Sequence, residues 1–549
     1  MTIALALTAI LLQPPPAPAP AVAAAATAVV RGHVFAADSG QPLRKAQVRL
    51  SRIAEARQDQ STVTDADGAF AFTGLRAGRY LIQASKGSYV SVSYGQQRST
   101  DAPKPIEIAD GQLVERLDLS LPRGGVITGR VVDEIGEAVP GVEVSAQRYQ
   151  FVMGRRQLTP AGHASTTNDL GEFRVFGVAA GQYYLMATWR NPAGMGPSGN
   201  PRDRLAYAAT YFPGTTNVAE AQRISIGPGR DVTDVALTLT TIRAARVSGT
   251  ATGADGKPMT SATIMVAQTG GALFSFAGSA QVRPDGTFTV SGLGPGDYTL
   301  RAQRNGPPTD GPESAAATIS VNGEDIADLQ LVAARPSRAT GRLIVDPAAS
   351  GQLPRPVMLM LMPMAIAGFP PPPPPPVRVA DDSTFELAAL PGRMRVILGG
   401  FAPSPSGWTI RMVRVNGADV TDSGIEFKPN ENIGDLEVEL TNRSAAISGS
   451  VADSRGQPSK EYTAIVFAQD KEKWTFSSRY QGAGRPDQDG RFKITGLPPG
   501  EYYIVAVDRV EAGQQGDPEF LESVRDKATR FSLGEGETKT IDLKLNGGS

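Results

Sequence analysis

The residues that could do chemistry are few and widely scattered. Histidine occurs twice, at His33 and His163, and cysteine is absent. Neither histidine stands in the H-x-x-E or H-E-x-x-H spacing that places two ligands and a general base around zinc. No G-x-S-x-G and no S-x-x-K is present, so a hydrolytic serine lacks its usual setting. Without cysteine there is no disulfide, no thiolate metal site, no cysteine nucleophile and no thioether lipid anchor. Asp65 with Asp67 and Asp487 with Asp489 form two D-x-D-G clusters. Such oxygens could hold calcium weakly. A complete EF-hand loop needs further ligands and a carboxylate at its twelfth position, however, and hairpin turns use the same Asp-Gly chemistry. The expectation is turns, no resident metal or cofactor, and no enzyme.

Aromatic side chains are the better candidates for contact with a ligand. The tryptophans are Trp189, Trp408 and Trp474. Tyr207, Tyr211 and Phe212 lie in a Pro/Gly-rich insertion, Arg190 to Gly214. Sugar rings stack on aromatic faces, so Trp189, Tyr207, Tyr211 and Phe212 form one candidate binding cluster. Trp474 with Tyr480 forms a second. The competing reading is that these rings close the open end of a sandwich. A proline run, Pro370 to Pro376, must adopt polyproline II and reads as a solvated spacer or a dock for an aromatic groove.

Composition narrows the partner. Lys+Arg number 54 and Asp+Glu 55, a formal net charge of −1 over 549 residues. A nucleic-acid binder would carry a basic stripe, and a polybasic membrane-surface protein a basic excess. Gly 60 and Pro 43 make the chain rich in turns, while 41% hydrophobic residues can fill cores. The apolar run Ile3 to Leu12 is too short to span a bilayer. It is followed by Pro, Ala and Val with A-x-A patterns, as in a secretory leader. The basic n-region of such a leader is missing, since the first basic residue is Arg31. Residues 1–28 therefore read as a signal peptide or a disordered Ala/Pro leader. The expected location is extracytoplasmic, with no transmembrane segment.

The elements that must position these residues repeat along the chain. Asp67-Gly68-Ala69-Phe70-Ala71-Phe72 is followed by Gly74-Leu75-Arg76-Ala77-Gly78-Arg79-Tyr80. Related runs end at Tyr183, Tyr298 and Tyr502, and a degenerate copy places Met394 where the tyrosine should be. Upstream of each stands an opening segment, at Gly32, Gly129, Gly249, Gly341 and Gly449. A turn glycine follows at Gly40, Gly136, Gly256, Gly351 and Gly456. A small or apolar residue stands eight positions later: Val48, Val144, Ile264, Leu359 and Ala464. Phe70 and Phe72 alternate with small residues, which puts both rings on one side of a strand. Short alternating strands at regular spacing predict an all-β chain, a tandem array of five Ig-like/transthyretin-like β-sandwich domains. The expected boundaries are 29–122, 123–243, 244–335, 336–443 (degenerate, with the proline run) and 444–549. A helix is expected near Asp517–Ala528. Short linkers such as Leu121-Pro122-Arg123-Gly124 suggest a semi-extended array.

The combination of G-x-V openings with T-D-x-x-G-x-F-x-F-x-G-L-x-P-G-x-Y resembles the carboxypeptidase regulatory-like domain, a transthyretin-like module grouped with carbohydrate-binding-like sandwiches. The resemblance covers nearly the whole chain from about residue 30 and is weakest in the fourth copy. It implies a fold rather than an activity, and the catalytic carboxypeptidase domain is not in the sequence. Related modules of bacterial surface adhesins form Lys–Asn isopeptide bonds. The equivalent first-strand positions here are His33, Arg130, Thr250, Arg342 and Ser450, so no such cross-link is expected. The resemblance and the aromatics together imply a non-enzymatic, exported binding protein for carbohydrate or a cell-surface polymer. The alternative is a structural or protein-interaction scaffold of the cell envelope.

Overall fold

A computed structural model of the chain describes residues 27–546, apart from 54–58, 153, 190–204, 269–275, 305–312, 365–373, 400–406, 430 and 476–477. The leader motif, most of the insertion Arg190–Gly214, and Pro370–Pro373 lie outside the described residues. Within them the regular structure is almost all strand, with one α-helix, Pro518–Arg525, where the sequence placed it. That helix begins at a proline, and the Asp517 side chain accepts from the Glu519 amide.

The stretch 245–333 shows the architecture most simply. One sheet holds Thr287–Leu293, Ala245–Thr252 and Ile326–Val332 in that order. The facing sheet holds Phe276–Gln281, Thr263–Gln268, Gly296–Arg304 and Glu313–Val321. Alternation sends Val247, Ile264, Val266, Phe288, Val290, Tyr298 and Leu300 into one buried cluster between them. Comparable clusters lie within 28–121, 127–239, 339–440 and 445–543. Val48, Val144, Ile264, Leu359 and Ala464 are all fully buried. A sixth cluster gathers Phe467, Trp474, Tyr503, Leu521 and Val524 beneath the helix.

Two repeated motifs have physical causes that the structure makes explicit. The opening strand of each stretch runs parallel to the closing strand. Beside the opening glycine the closing strand carries an extra residue, as where Val247 and Gly249 pair with Ile326 and Leu329. The bulged residue is left-handed in the first four stretches: Arg116, Asp234, Asp328 and Asp435. The bulge drives a carbonyl into the space of a side chain. A Cβ on Gly32, Gly129, Gly249, Gly341 or Gly449 would lie 1.9–2.0 Å from the carbonyl oxygen of Leu117, Val235, Leu329, Leu436 or Ile541 respectively. Only glycine fits there. The motif tyrosine has its own task. The hydroxyls of Tyr80, Tyr183, Tyr298 and Tyr502 donate to the carbonyls of Arg76, Ala179, Gly294 and Pro498, at 2.7–3.0 Å. Each pins the tight turn four residues upstream. Met394 fills the same buried place by volume alone.

One expectation needs correction. Short linkers suggest a semi-extended array, yet Asp101 of the first stretch pairs with Glu511 of the last in an antiparallel bridge. A short linker limits the distance between neighbours. It does not straighten the chain.

Candidate functional site

Each sequence-derived candidate has a definite place. Trp474 is 5% exposed, and its indole Nε1 donates 2.7 Å to the Ala468 carbonyl. Its ring packs edge-on against Phe467. The Lys471 ammonium lies over the ring, 5.8 Å from its centroid, and the rest of the indole is enclosed in the cluster beneath the helix, which leaves little ring surface for a sugar. Tyr480 lies at a joint. Its hydroxyl reaches Asp422 at 3.3 Å, and its ring stacks on Tyr502 at 6.4 Å. Beside it, Arg479 donates to both Asp422 carboxylate oxygens, at 2.9 and 3.0 Å, and to the Arg411 carbonyl. This fork ties the last stretch to its neighbour. Burial is the first cause raising the Tyr480 hydroxyl's pKa, as expected for a phenol enclosed in such a joint.

The four candidates around the insertion divide into two groups. Trp189 and Tyr207 meet edge-to-face at 5.6 Å. Tyr207 sits on Leu205–Tyr207, which pairs with Thr241–Arg243 on the way to the next stretch. Its hydroxyl is pushed up by burial first, then by Asp133, Glu134 and Glu137. Trp189, Tyr207 and Phe212 all pack against the core of their stretch. Tyr211 does not. It pairs with Met186 on the opposite face of the sheet.

That opposite face is a site the candidate set missed. In Val142–Val152 and Gly181–Trp189, residues Val142, Val144, Ala146, Tyr183, Leu185 and Ala187 point into the core. Alternation therefore sends Tyr149, Tyr184 and Met186 outward. The rings of Tyr149 and Tyr184 meet at 6.0 Å and 90°. The Arg156 guanidinium lies 4.8 Å from the Tyr149 ring, and that of Arg223 lies 5.4 Å from Tyr184. Arg223 Nε also donates 2.9 Å to the Tyr184 hydroxyl. Burial raises the Tyr211 hydroxyl's pKa, with Tyr149 the second cause. The signal was in the sequence. Tyr149 and Tyr184 occupy the outward register of strands whose inward register is apolar.

The acidic turns are self-satisfied. Asp65 Oδ1 accepts from the Asp67 and Ala69 amides, and Asp487 Oδ1 from the Asp489 and Arg491 amides. These are Asx turns that shape the hairpin. Among the described residues, no three His, Asp or Glu side chains gather as metal ligands. His33 lies beside Asp118, 3.4 Å away, and His163 stacks on Phe176 at 4.6 Å. The two histidines serve different stretches. His33 and Arg130 are exposed on the polar side of their strands.

The family comparison agrees with the repeat. Residues 29–121 and 246–332 match the carboxypeptidase regulatory-like domain. No match to a catalytic family accompanies them. No curated protein matches the chain. Solved structures with some likeness include the Bacillus anthracis TIE protein, at 10% identity over 92% of this chain and 76% of that one, with a TM-score of 0.15. A streptococcal ancillary pilin shows 13% identity over 56% and 98%, TM-score 0.19. Two B repeat units of the collagen binding protein of Staphylococcus aureus show 11% identity over 76% and 100%, TM-score 0.14. No functional conclusion follows from likeness at this level. Among the described residues no helix is long and apolar enough to cross a membrane.

Proposed function

We propose that this chain is a non-enzymatic, exported binding protein for carbohydrate or a cell-surface polymer. Its ligand face is the outer side of the sheet in residues 142–226. The observation that carries the reading is the half-buried pair Tyr149 and Tyr211 on that face, with Arg156 over the Tyr149 ring and the buried Tyr184, held by Arg223, meeting Tyr149 edge-to-face. Aromatic rings at a sheet surface offer flat apolar faces to sugar C–H groups. Guanidinium groups held against those rings offer donors to carboxylate, sulfate or phosphate. A polymer of acidic sugars combines both features. Export rests on the apolar run and A-x-A patterns of the leader.

The test is retention of the full chain on acidic and neutral polysaccharides, comparing wild type with Tyr149→Ala and Tyr211→Ala. Losing one stacked ring costs about 0.5–1.5 kcal/mol, which is up to about tenfold in affinity per ring. Saturable binding that weakens in both folded variants supports the reading. Equal retention by wild type and variants removes this face. The second reading, a structural or protein-interaction scaffold, is favoured by the Arg479–Asp422 fork that locks adjacent stretches. It gains if no polysaccharide is retained at all.

A further inference from the structure

We infer that the chain closes on itself, and that residues 99–104 of the first stretch act as the clasp, seated between the last stretch and the second. The inference is independent of any ligand. Its basis is a set of contacts between residues more than 350 positions apart. Lys104 Nζ donates to the Lys460 carbonyl at 2.8 Å and to Glu461 Oε1 at 2.5 Å. Arg485 Nη1 donates to the Ala102 carbonyl at 2.6 Å, and its Nη2 lies 3.7 Å from Glu461. The Ala512 amide donates to the Thr100 carbonyl at 2.9 Å, completing the strand-like pairing of Asp101 with Glu511. Arg509 lies 3.7 Å from Asp101. Backbone pairing, a buried guanidinium and an ion pair thus converge on six residues.

The second stretch completes the seat. Arg148 Nη1 donates 3.3 Å to Ser99 Oγ. Arg148 and Phe151 lie on Val142–Val152, which forms a hairpin with Arg155–Thr166, and Gly513 approaches this hairpin so closely that a Cβ would stand 2.4 Å from the Phe151 carbonyl oxygen. Gly513 is also left-handed, at φ 85°. The loop Val510–Gly516 therefore turns where first and second stretches both touch it.

Burial separates this seam from an incidental surface touch. The side chains of Lys104, Arg485 and Asp101 are each 12% exposed. A buried cation must find fixed acceptors, and Lys104 and Arg485 find theirs only across the seam or on Glu461. If the first and last stretches swung apart, these groups would need water instead. The closed arrangement makes the five stretches one body rather than beads on a string. It also fixes the orientation of the outer face in residues 142–226, because the clasp grips the hairpin that carries Tyr149.

Two experiments on the full chain decide it. Carbodiimide treatment of wild type joins a lysine to a carboxylate only when they touch, with loss of water. Peptide mass analysis is expected to find a Lys104–Glu461 amide as abundant as the Lys471–Glu522 amide, whose partners lie 2.8 Å apart within one stretch. Finding the second amide without the first would overturn the closure. The chain also has no native cysteine, so Asp101→Cys with Glu511→Cys places the only two thiols at the bridge. Mild oxidation of the folded double variant is expected to give a monomeric disulfide. Two thiols that stay reduced, or disulfide-linked dimers in place of monomers, would both contradict closure within one chain.

Discussion

Replacing Gly249 with Ala tests the reason for the repeated opening motif. The new methyl would sit 1.9 Å from the Leu329 carbonyl oxygen, so that oxygen must retreat by about 1.5 Å to reach van der Waals contact. It belongs to a bulged strand held by parallel pairing from Val247↔Ile326 to Thr252↔Val332. Overpacking of this kind costs about 1–3 kcal/mol. Losing two ladder hydrogen bonds beside the bulge adds about 1 kcal/mol each. The sum is about 3–5 kcal/mol, a large part of the roughly 5–15 kcal/mol that holds a domain together. At about 4–8 °C per kcal/mol for a domain of this size, the melting step of this stretch should fall by more than about 10 °C. Gly256→Ala is the control. Its φ is 77° and nothing lies within 4 Å of its Cβ position, so only backbone strain of about 1–2 kcal/mol applies. Calorimetry of the full chain measures both. A Gly249→Ala profile superimposable on wild type, or milder than Gly256→Ala, would refute the bulge argument.

Four further outcomes follow from the same structure. Tyr298→Phe keeps the ring but leaves the Gly294 carbonyl without its 3.0 Å donor, so denaturant titration should show a loss of about 1–2 kcal/mol. The equivalent methionine, Met394, should tolerate Leu with less than about 1.5 kcal/mol of change. Hydrogen bonds from the Ser450 hydroxyl and amide hold the Asp542 carboxyl below its ordinary pKa. A depressed folded pKa stabilises above the unfolded value near about 4 and is lost as pH falls through the folded one. Melting temperature should therefore drop on acidification below about pH 4, and more shallowly in Asp542→Asn. Trp474→Ala should cost about 3–5 kcal/mol in a melting experiment while leaving polysaccharide retention intact, since its ring is enclosed by Phe467, Leu521 and Val524.

Local chemistry was readable from residues, and long-range assembly was not. Alternation placed Phe70, Phe72 and Val48 in a core, and all three are buried. The opening glycines were visible as a motif, but their cause is a bulge contributed by a strand 80–106 residues later, which pairwise spacing cannot reveal. The motif tyrosines looked like core aromatics. Their hydroxyls proved to be the means of pinning a turn. Tryptophan drew attention to Trp474, yet rarity says nothing about which face of a strand a ring occupies. Tyr149 and Tyr184 share an outward register that becomes a site only when Arg156 and Arg223 arrive from other strands. The contact of Lys104 with Glu461 depends on how all the stretches turn relative to one another, which no local pattern encodes.

The measurement closest to the central claim is quantitative binding of the full chain to an acidic polysaccharide across a salt series, for wild type and Tyr149→Ala. The account predicts saturable wild-type binding that weakens with salt, as arginine contacts require. It predicts up to about tenfold weaker binding by the variant at every salt concentration, with an unchanged melting profile. Identical isotherms for the two proteins would contradict it.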